Sequence, residues 1–382
     1  MIESFVLAIA ALSGCWCDTV PTFVGEIEVR NPAYVSLYAY PGYNSGYDLL
    51  ISTSSGNPFE KDVVYRVSHI EEYMKNNATN FTLEVLSDSI YWPNQLSGVS
   101  KVFGNRTVAV ASGNFAPKNR GGVSLINLDK GAPYITDVIT DGYAKGQLVW
   151  LENQGNLNQS TPWKSHVIAE GPDVNFVSSR LQSTDGWMDA FFAAQYFNPG
   201  LRVFWVNESG DWNETKVNSR DIDMTIGPVF DVVISDVNGD FESDLLVTAH
   251  SATNGTVWAY EIPDDFRTGE YKRHLLASGF MSSSVHQGKG APGSARPISH
   301  GTASGKDPII LSGDDSGQAY VLNARSNAKD DWSYTVTPFL DAGTGNVGGI
   351  DFAGGVYSYN SYDIFVPAKN KNKVYIYRLM EN

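Results

Sequence analysis

The sequence predicts an all-β fold, a six-bladed β-propeller of four-stranded antiparallel blades. Three observations carry that prediction: a four-strand cycle that can be read six times, a composition of 36 glycines and 12% aromatics, and two ends that read as strands of one sheet. No long apolar pattern of helical period appears. A chain of 382 residues holds either two ordinary domains or one large repeat domain, and internal repeats select the second. Radial repetition lets many short strands share a fold because it leaves only short, protected edges.

The reference copy of the cycle is Phe230 to Glu261. An apolar strand, Phe230 to Ser235, runs into the loop Asp236, Asn238, Asp240, Asp244, which sets oxygen side chains at positions 1, 3, 5 and 9 while Gly239 eases the turn. Two strands follow, Leu245 to Thr248 and Thr256 to Glu261. Calcium takes six to eight oxygens at flexible distances, so a loop with an acidic or amide group at every second position is suited to wrap it. The competing reading is a hairpin turn rich in Asp, Asn and Gly whose side chains bond their own backbone. The block Asp236 to Leu246 resembles the FG-GAP/VCBS repeat, D-x-N-G-D-x-x-x-D-L-L, of integrin-type propellers and of many secreted proteins. That resemblance implies the propeller fold and a structural calcium ion at Asp236, Asn238, Asp240 and Asp244. In the other copies it extends to the outline of the repeat and not to its ligands.

The strands of each cycle are labelled d, a, b and c in chain order. The d strands are expected at 24–29, 81–86, 163–168, 212–217, 271–276 and 332–337; four of the last five open on Trp or Tyr, a position suited to packing between blades. The a strands fall near Tyr34, Val99, Val177, Val232, Ile298 and Ile350. The b strands are expected at 49–52, 107–111, 190–193, 245–248, 309–312 and 364–367. Five of the six follow an aspartate: Asp48, Asp189, Asp244, Asp307 and Asp363. The c strands are expected at 63–68, 148–152, 203–207, 256–261, 319–323 and 374–379. The chain starts on a d strand and ends on a c strand, so 24–29 can pair with 374–379 and close the ring, removing the exposed edges of an open array. The second cycle carries an insertion at about 112–146, either an added hairpin or part of a seventh blade.

Residues 1–17 read as a signal peptide, with an apolar core from Phe5 to Leu12 and small residues, Cys15 and Cys17, before a cut at Asp18. The alternative is a lipid anchor on Cys15, because Leu12-Ser13-Gly14-Cys15 also resembles a bacterial lipoprotein box. Residues 18–382 form the single propeller domain. Glycosylation sequons at Asn77, Asn80, Asn105, Asn158, Asn207, Asn213 and Asn254 favour secretion. Both cysteines lie in the leader, so the fold needs no disulfide framework. A net charge of −15 argues against nucleic acid and anionic membrane as partners, and it suits a chain that holds cations.

Strands alternate in direction, so the a–b and c–d turns share one face of the disc and the d–a and b–c loops the other. All sequons except Asn254 fall on the first face, with the calcium loop. Binding is therefore expected on the second, where the ends of the b strands bring Gln195, His250, Asp314 and Asp315 to the mouth of the channel. Trp92, Arg296 and His300 reach it from the entering loops. The ligand-binding candidates are Trp92, Gln195, His250, His300 and Asp314, a mixture of rings and polar groups that suits a sugar. Catalytic motifs are absent: there is no H-E-x-x-H, G-x-S-x-G, P-loop, or G-x-G-x-x-G after a strand. The expected function is a secreted, calcium-stabilised binding or extracellular-matrix module for glycan or protein ligands, with no catalytic residue assigned. The alternative is a carbohydrate-active lyase or dehydratase with its site on the same face.

Overall fold

The computed structural model describes residues 19–39, 46–57, 59–76, 80–102, 106–113, 121–128, 136–140, 147–152, 164–170, 175–207, 216–284, 289–298, 305–354 and 361–380. It is all-β in a propeller arrangement, with one short helix in a connecting loop. The signal segment 1–17 lies outside the described residues, as do His286, His300 and the sequons Asn77, Asn105, Asn158 and Asn213.

The first strand is β1 (Thr22–Glu28). A sheet of β2 (Pro32–Ala39), β3 (Tyr47–Thr53), β4 (Lys61–Val67) and β5 (Glu84–Tyr91) follows, with helix α1 (Ile70–Lys75) in its last connection. The next sheet holds β6 (Leu96–Val102), β7 (Arg106–Gly113), β8 (Gly121–Asn127) and β9 (Thr136–Thr140). Then β10 (Gln147–Glu152) pairs with β11 (Lys164–Glu170) alone. Three four-stranded sheets come after it. The first holds β12 (Asn175–Ser183), β13 (Gly186–Gln195), β14 (Gly200–Trp205) and β15 (Asn218–Asp223). The second is β16 (Val229–Ser235), β17 (Asp244–Ala249), β18 (Gly255–Glu261) and β19 (Arg273–Phe280), and the third β20 (Ala295–Pro297), β21 (Ile309–Ser312), β22 (Gln318–Ala324) and β23 (Tyr334–Asp341). The last, β24 (Asp351–Gly354), β25 (Ser361–Ala368) and β26 (Lys373–Met380), is completed by β1.

Closure is as expected: β1 runs antiparallel to β26, from Thr22 opposite Arg378 to Glu28 opposite Lys373. A second seam lies at the inner strands, where Val35 N donates to Gly349 O and Gly349 N to Ala33 O, both at 3.1 Å. Gly348 is required there, since a Cβ would sit 1.6 Å from the Ala33 carbonyl oxygen. Each interior lies between two sheets rather than within one. Leu246, Val257 and Ala259 pack on Ile309, Leu311 and Leu322, and Ile310 and Val321 pack on Ile364 and Val366.

Three strand assignments are corrected, the third being the d strand expected at 163–168, which is β11 of the β10–β11 pair while β9 takes the outer place in the preceding sheet. The second cycle's c strand is β8, not residues 148–152; β8 and β9, both inside the segment expected as an insertion, finish that sheet, while 148–152 belongs to the β10–β11 pair. The apolar run Leu148-Val149-Trp150-Leu151 outweighs the glycine-rich Gly121-Gly122 start of β8, so the stronger pattern drew the assignment. The fourth strand of the β12 sheet is β15, later than the expected 212–217. Outer strands are half-exposed and their alternation is weak, which blurs their starts. Of their leading aromatics, Trp163 and Trp212 lie outside the described residues, while Trp332, just before β23, lies flat on His274 of β19, ring centres 4.0 Å apart at 7°, and Tyr271 meets Phe192 of β13 edge-on at 6.2 Å.

The aspartates before the b strands are anchors. Asp363 is buried and accepts Arg378 Nε at 2.8 Å, and Asp48 is buried with Arg66 Nη1 at 3.8 Å, so in both sheets an arginine of the neighbouring c strand answers the carboxylate. Asp189 pairs with Arg180 at 3.3 Å, and Asp185, in the turn before β13, with Arg267 at 2.6 Å.

Arg267 also ties two sheets together, donating to Asp265 at 2.8 Å and to Thr184 at 2.9 Å across the turn between β12 and β13. The Arg267 guanidinium holds the Asp265 carboxyl well below the usual carboxylate range, against a smaller opposing effect of burial. A depressed folded-state pKa contributes stability above the unfolded value, about 3.9, and loses it as pH falls through the folded one. Asp265→Asn is expected to cost about 2 kcal/mol at neutral pH. The loss should shrink towards zero in acid, which urea unfolding at a series of pH values reads directly.

Candidate functional site

The polar groups on the d–a/b–c face converge on His250, which follows β17. Its ring is sandwiched, with Phe230 stacked on it at 5.1 Å and 21° and Tyr196 tilted at 5.3 Å. Nδ1 meets the Tyr196 hydroxyl at 3.1 Å and Nε2 meets Asp314 Oδ2 at 3.0 Å, while the residue as a whole is buried. Asp314 sits in the turn after β21 with φ of 49°, a left-handed conformation that non-glycine residues seldom adopt without cause. The turn is pinned by reciprocal backbone bonds with Val347, and the Asn346 side-chain amide donates to Asp314 Oδ1. Burial pushes the Asp314 carboxyl up, against the hydrogen bond from His250.

Asp315 faces the loop that enters β20. Lys289 Nζ lies 2.7 Å from its Oδ1 and Gly290 N donates to Oδ2 at 3.3 Å. Gly290 is a fitted glycine, because a Cβ would stand 2.6 Å from the His250 ring. Lys369, from the turn after β25, points into the same neighbourhood, where burial first and then Lys289 pull its pKa down.

Beneath this mouth the inner strands carry an ion pair between half-buried Arg296, already expected near the mouth, and buried Asp231, which the sequence reading did not single out. Asp231, in the middle of β16, accepts Arg296 Nη1 at 2.6 Å and the Asn175 side-chain amide, so three consecutive four-stranded sheets meet on one carboxylate. Burial alone would pull the Arg296 pKa down, but Asp231 and Asp351 carry it up. Tyr34 and Asp351 line the same axis; burial raises both, and the Asp314 and Asp231 charges raise Tyr34 further.

The expected ligand residues divide. His250 and Asp314 are brought together, with Asp315 beside them. Gln195 is fully buried with neither amide atom partnered, but it shares the strand face of Ala193 and Phe191, which packs on Ile168 and Ala169 of β11, away from His250. Trp92, in the loop after β5 with φ of 47°, makes no hydrogen bond or ring contact with the His250 group among the described residues. His300 lies outside the described residues. The sequence reading missed Tyr196, Phe197 and Phe230. Phe197 is 61% exposed and rests edge-on against Tyr196 at 5.2 Å.

The acidic loop lies on the opposite face. Asp236 accepts backbone N–H groups from Gly239 at 2.6 Å, Asp240 at 3.0 Å and Phe241 at 2.8 Å, and Asp244 Oδ2 accepts Val237 N at 3.0 Å. Asn238 and Asp240 bond each other, amide to carboxylate, at 2.9 Å. The turn thus satisfies itself in the way a hairpin of this composition does. The carboxylates that accept these bonds keep further lone pairs, but Asp236, Asp240 and Asp244 are not brought within 4.8 Å of one another as a group in this conformation. Burial, with the Asp240 and Asp236 charges adding to it, pushes the Asp244 carboxyl up to about 7, despite hydrogen bonds that pull the other way.

No family model matches the chain, and no curated protein matches it. Among solved structures, an α-L-arabinofuranosidase from Fusarium graminearum in complex with an iminosugar inhibitor is similar at TM-score 0.50 and 11% identity, over 95% of this chain and 97% of that one. An α-L-arabinanase from Penicillium chrysogenum complexed with arabinobiose gives TM-score 0.49 and 12% identity, over 95% and 99%. At such identity the likeness to the first is one of fold.

Replacing Arg296 by Met would strand the buried Asp231 carboxylate without its counter-charge. The expected cost is about 3–5 kcal/mol. Asp231→Asn in the same chain should recover part of it, which a double-mutant cycle of thermal unfolding measures.

Proposed function

We propose that this chain is a secreted glycan-binding propeller whose ligand lies on the mouth around His250, and that it acts as an extracellular binding module. The observation that carries the reading is Phe197, an exposed ring beside the Tyr196, His250 and Asp314 hydrogen-bonding groups. Sugar C–H faces favour such a ring and sugar hydroxyls favour such neighbours. A glycan ligand is also compatible with the sugar-processing protein that shares the fold. Described sequons suit the same arrangement: Asn80 and Asn207 sit on the opposite face, and Asn254 alone shares the face of the mouth. Each four-stranded sheet is taken as one blade, six in all, with β10–β11 the outer half of a further position.

Calcium at Asp236, Asn238, Asp240 and Asp244 belongs to this reading as a structural ion. It is supported by the donor set and by the resistance of Asp244 to ionising beside two other carboxylates. The resemblance of Asp236 to Leu246 to the FG-GAP/VCBS repeat points the same way.

A second reading, a carbohydrate-active lyase or dehydratase, is favoured by one feature. The Tyr196 hydroxyl, His250 and Asp314 form a continuous hydrogen-bonded chain, an arrangement able to pass a proton.

Two measurements separate these ideas. On a glycan array, the wild-type protein should retain a neutral oligosaccharide without turning it over, and Phe197→Ala should weaken binding about tenfold, a loss of about 1.4 kcal/mol. Release of unsaturated products would favour the enzyme, and absence of any glycan ligand would sink both. Calorimetric titration of chelator-treated protein with calcium should give one site that Asp244→Asn abolishes. At a free calcium concentration of about 100 times Kd, the ion should add about 2.7 kcal/mol of stability. Without calcium the raised Asp244 carboxyl contributes stability below the unfolded value of about 3.9 and loses it as pH rises through about 7, so Asp244→Asn should flatten that limb.

A further inference from the structure

We propose that His250, Asp314 and Asp315 form a binding site for a first-row divalent metal ion at the mouth of the propeller, separate from the acidic loop on the other face. One ligand atom from each of the three residues lies within 4.8 Å of the others, and His250 Nε2 is already 3.0 Å from Asp314 Oδ2. A cation about 2.0–2.2 Å from each nitrogen or oxygen needs ligand atoms at most about 4.4 Å apart, so shifts of a few tenths of an ångström bring the set onto one sphere.

The surroundings hold each ligand in the orientation such a site needs. The Tyr196 hydroxyl holds the Nδ1 side of His250 and keeps Nε2 facing the carboxylates, where a bound cation would take the place of the Nε2 proton. Asn346 fixes Asp314 through Oδ1 and leaves Oδ2 facing the imidazole. Gly290 N and Lys289 hold Asp315. Outer partners of this kind orient metal ligands and set their basicity. A second observation concerns the same strand face: Thr248, two residues before His250 and opposite Asp231 in register, is completely buried, and its Oγ1 has no hydrogen-bond partner among the described residues. A buried hydroxyl without a partner is costly, and an ion with its bound water supplies one.

The donor set selects the metal. One imidazole nitrogen with two carboxylates suits zinc, manganese or cobalt better than calcium, which prefers an all-oxygen shell. Lys289 is the competitor, since its ammonium neutralises Asp315 when no ion is bound.

The test uses the full chain, stripped with a chelator and titrated with zinc by calorimetry and with cobalt by its visible absorption. One site is expected, lost in His250→Gln and in Asp314→Asn, tightened in Lys289→Met, weakened about tenfold in Tyr196→Phe, and unchanged in Asp244→Asn. Circular dichroism of each variant guards against misfolding. Should neither the wild type nor Lys289→Met bind zinc or cobalt, or should His250→Gln bind as well as the wild type, the three residues are an ion-pair network and the proposal fails. Glycan binding is read separately on the stripped and reloaded protein, so a metal site without a glycan, or the reverse, is recognisable.

Discussion

The pairing of β1 with β26 is the constraint on which the rest depends. No sheet in this fold owns a complete core; each apolar cluster is shared by two neighbours, so an open array would leave the last sheet with one bare face and an unpaired edge. Closure removes both at once. It also fixes the inner strands around the axis, and only there is a buried Asp231 tolerable. Asn175, Arg296 and the Ala295 N–H reach its two oxygens from the adjoining sheets. A carboxylate in a strand that is otherwise Val, Phe and Ile up to its closing Ser235 would be a serious fault in any arrangement that did not bring those donors to it.

The repeat was legible because most b strands carry a short, buried apolar run, and such runs stand out from any turn-rich background. Leu49-Leu50-Ile51, Leu245-Leu246-Val247 and Ile364-Phe365-Val366 are of this kind, and all three are b strands in the structure. The aspartates in front of them were legible as a repeat but not as to purpose. A decayed calcium loop and a carboxylate waiting for an arginine look alike until the partner strand is placed. Arg66 and Arg378 stand many residues away, and only the register of the b and c strands brings them to Asp48 and Asp363. The edges were read less well. β15, Asn218-Ser219-Arg220-Asp221-Ile222-Asp223, carries almost no apolar signal, because an outer strand has little to bury.

At the site, position along the chain was a good guide and strand parity a poor one. His250 and Asp314 were identifiable because the ends of b strands point at the mouth. Gln195 ends a b strand too, yet it faces β11, and the next residue, Tyr196, takes the place at His250. A one-residue step reverses the side to which a strand residue points. The aromatic pair Tyr196-Phe197 directly after an apolar strand was a usable signal. So was Asp231, a charge inside the strand Val229–Ser235.

The two faces differ in how their polar groups are assembled, and this decides what a ligand on each can do. In the acidic loop the hydrogen bonds made by the side chains of Asp236, Asn238, Asp240 and Asp244 join residues no more than 7 apart in sequence, and one further bond, from the Tyr334 hydroxyl to the Val237 carbonyl at 2.9 Å, ties the turn to the next sheet. At the mouth, Tyr196 and His250 are separated by 54 residues and His250 and Asp314 by 64, and they meet only when three successive four-stranded sheets are docked. A ligand held by the side chains of the loop therefore acts first on one sheet and reaches its neighbour only through Tyr334. A ligand held at the mouth binds only the docked arrangement, so its binding free energy adds to the stability of the sheet-to-sheet packing itself. Occupancy of the mouth and integrity of the ring are thus linked.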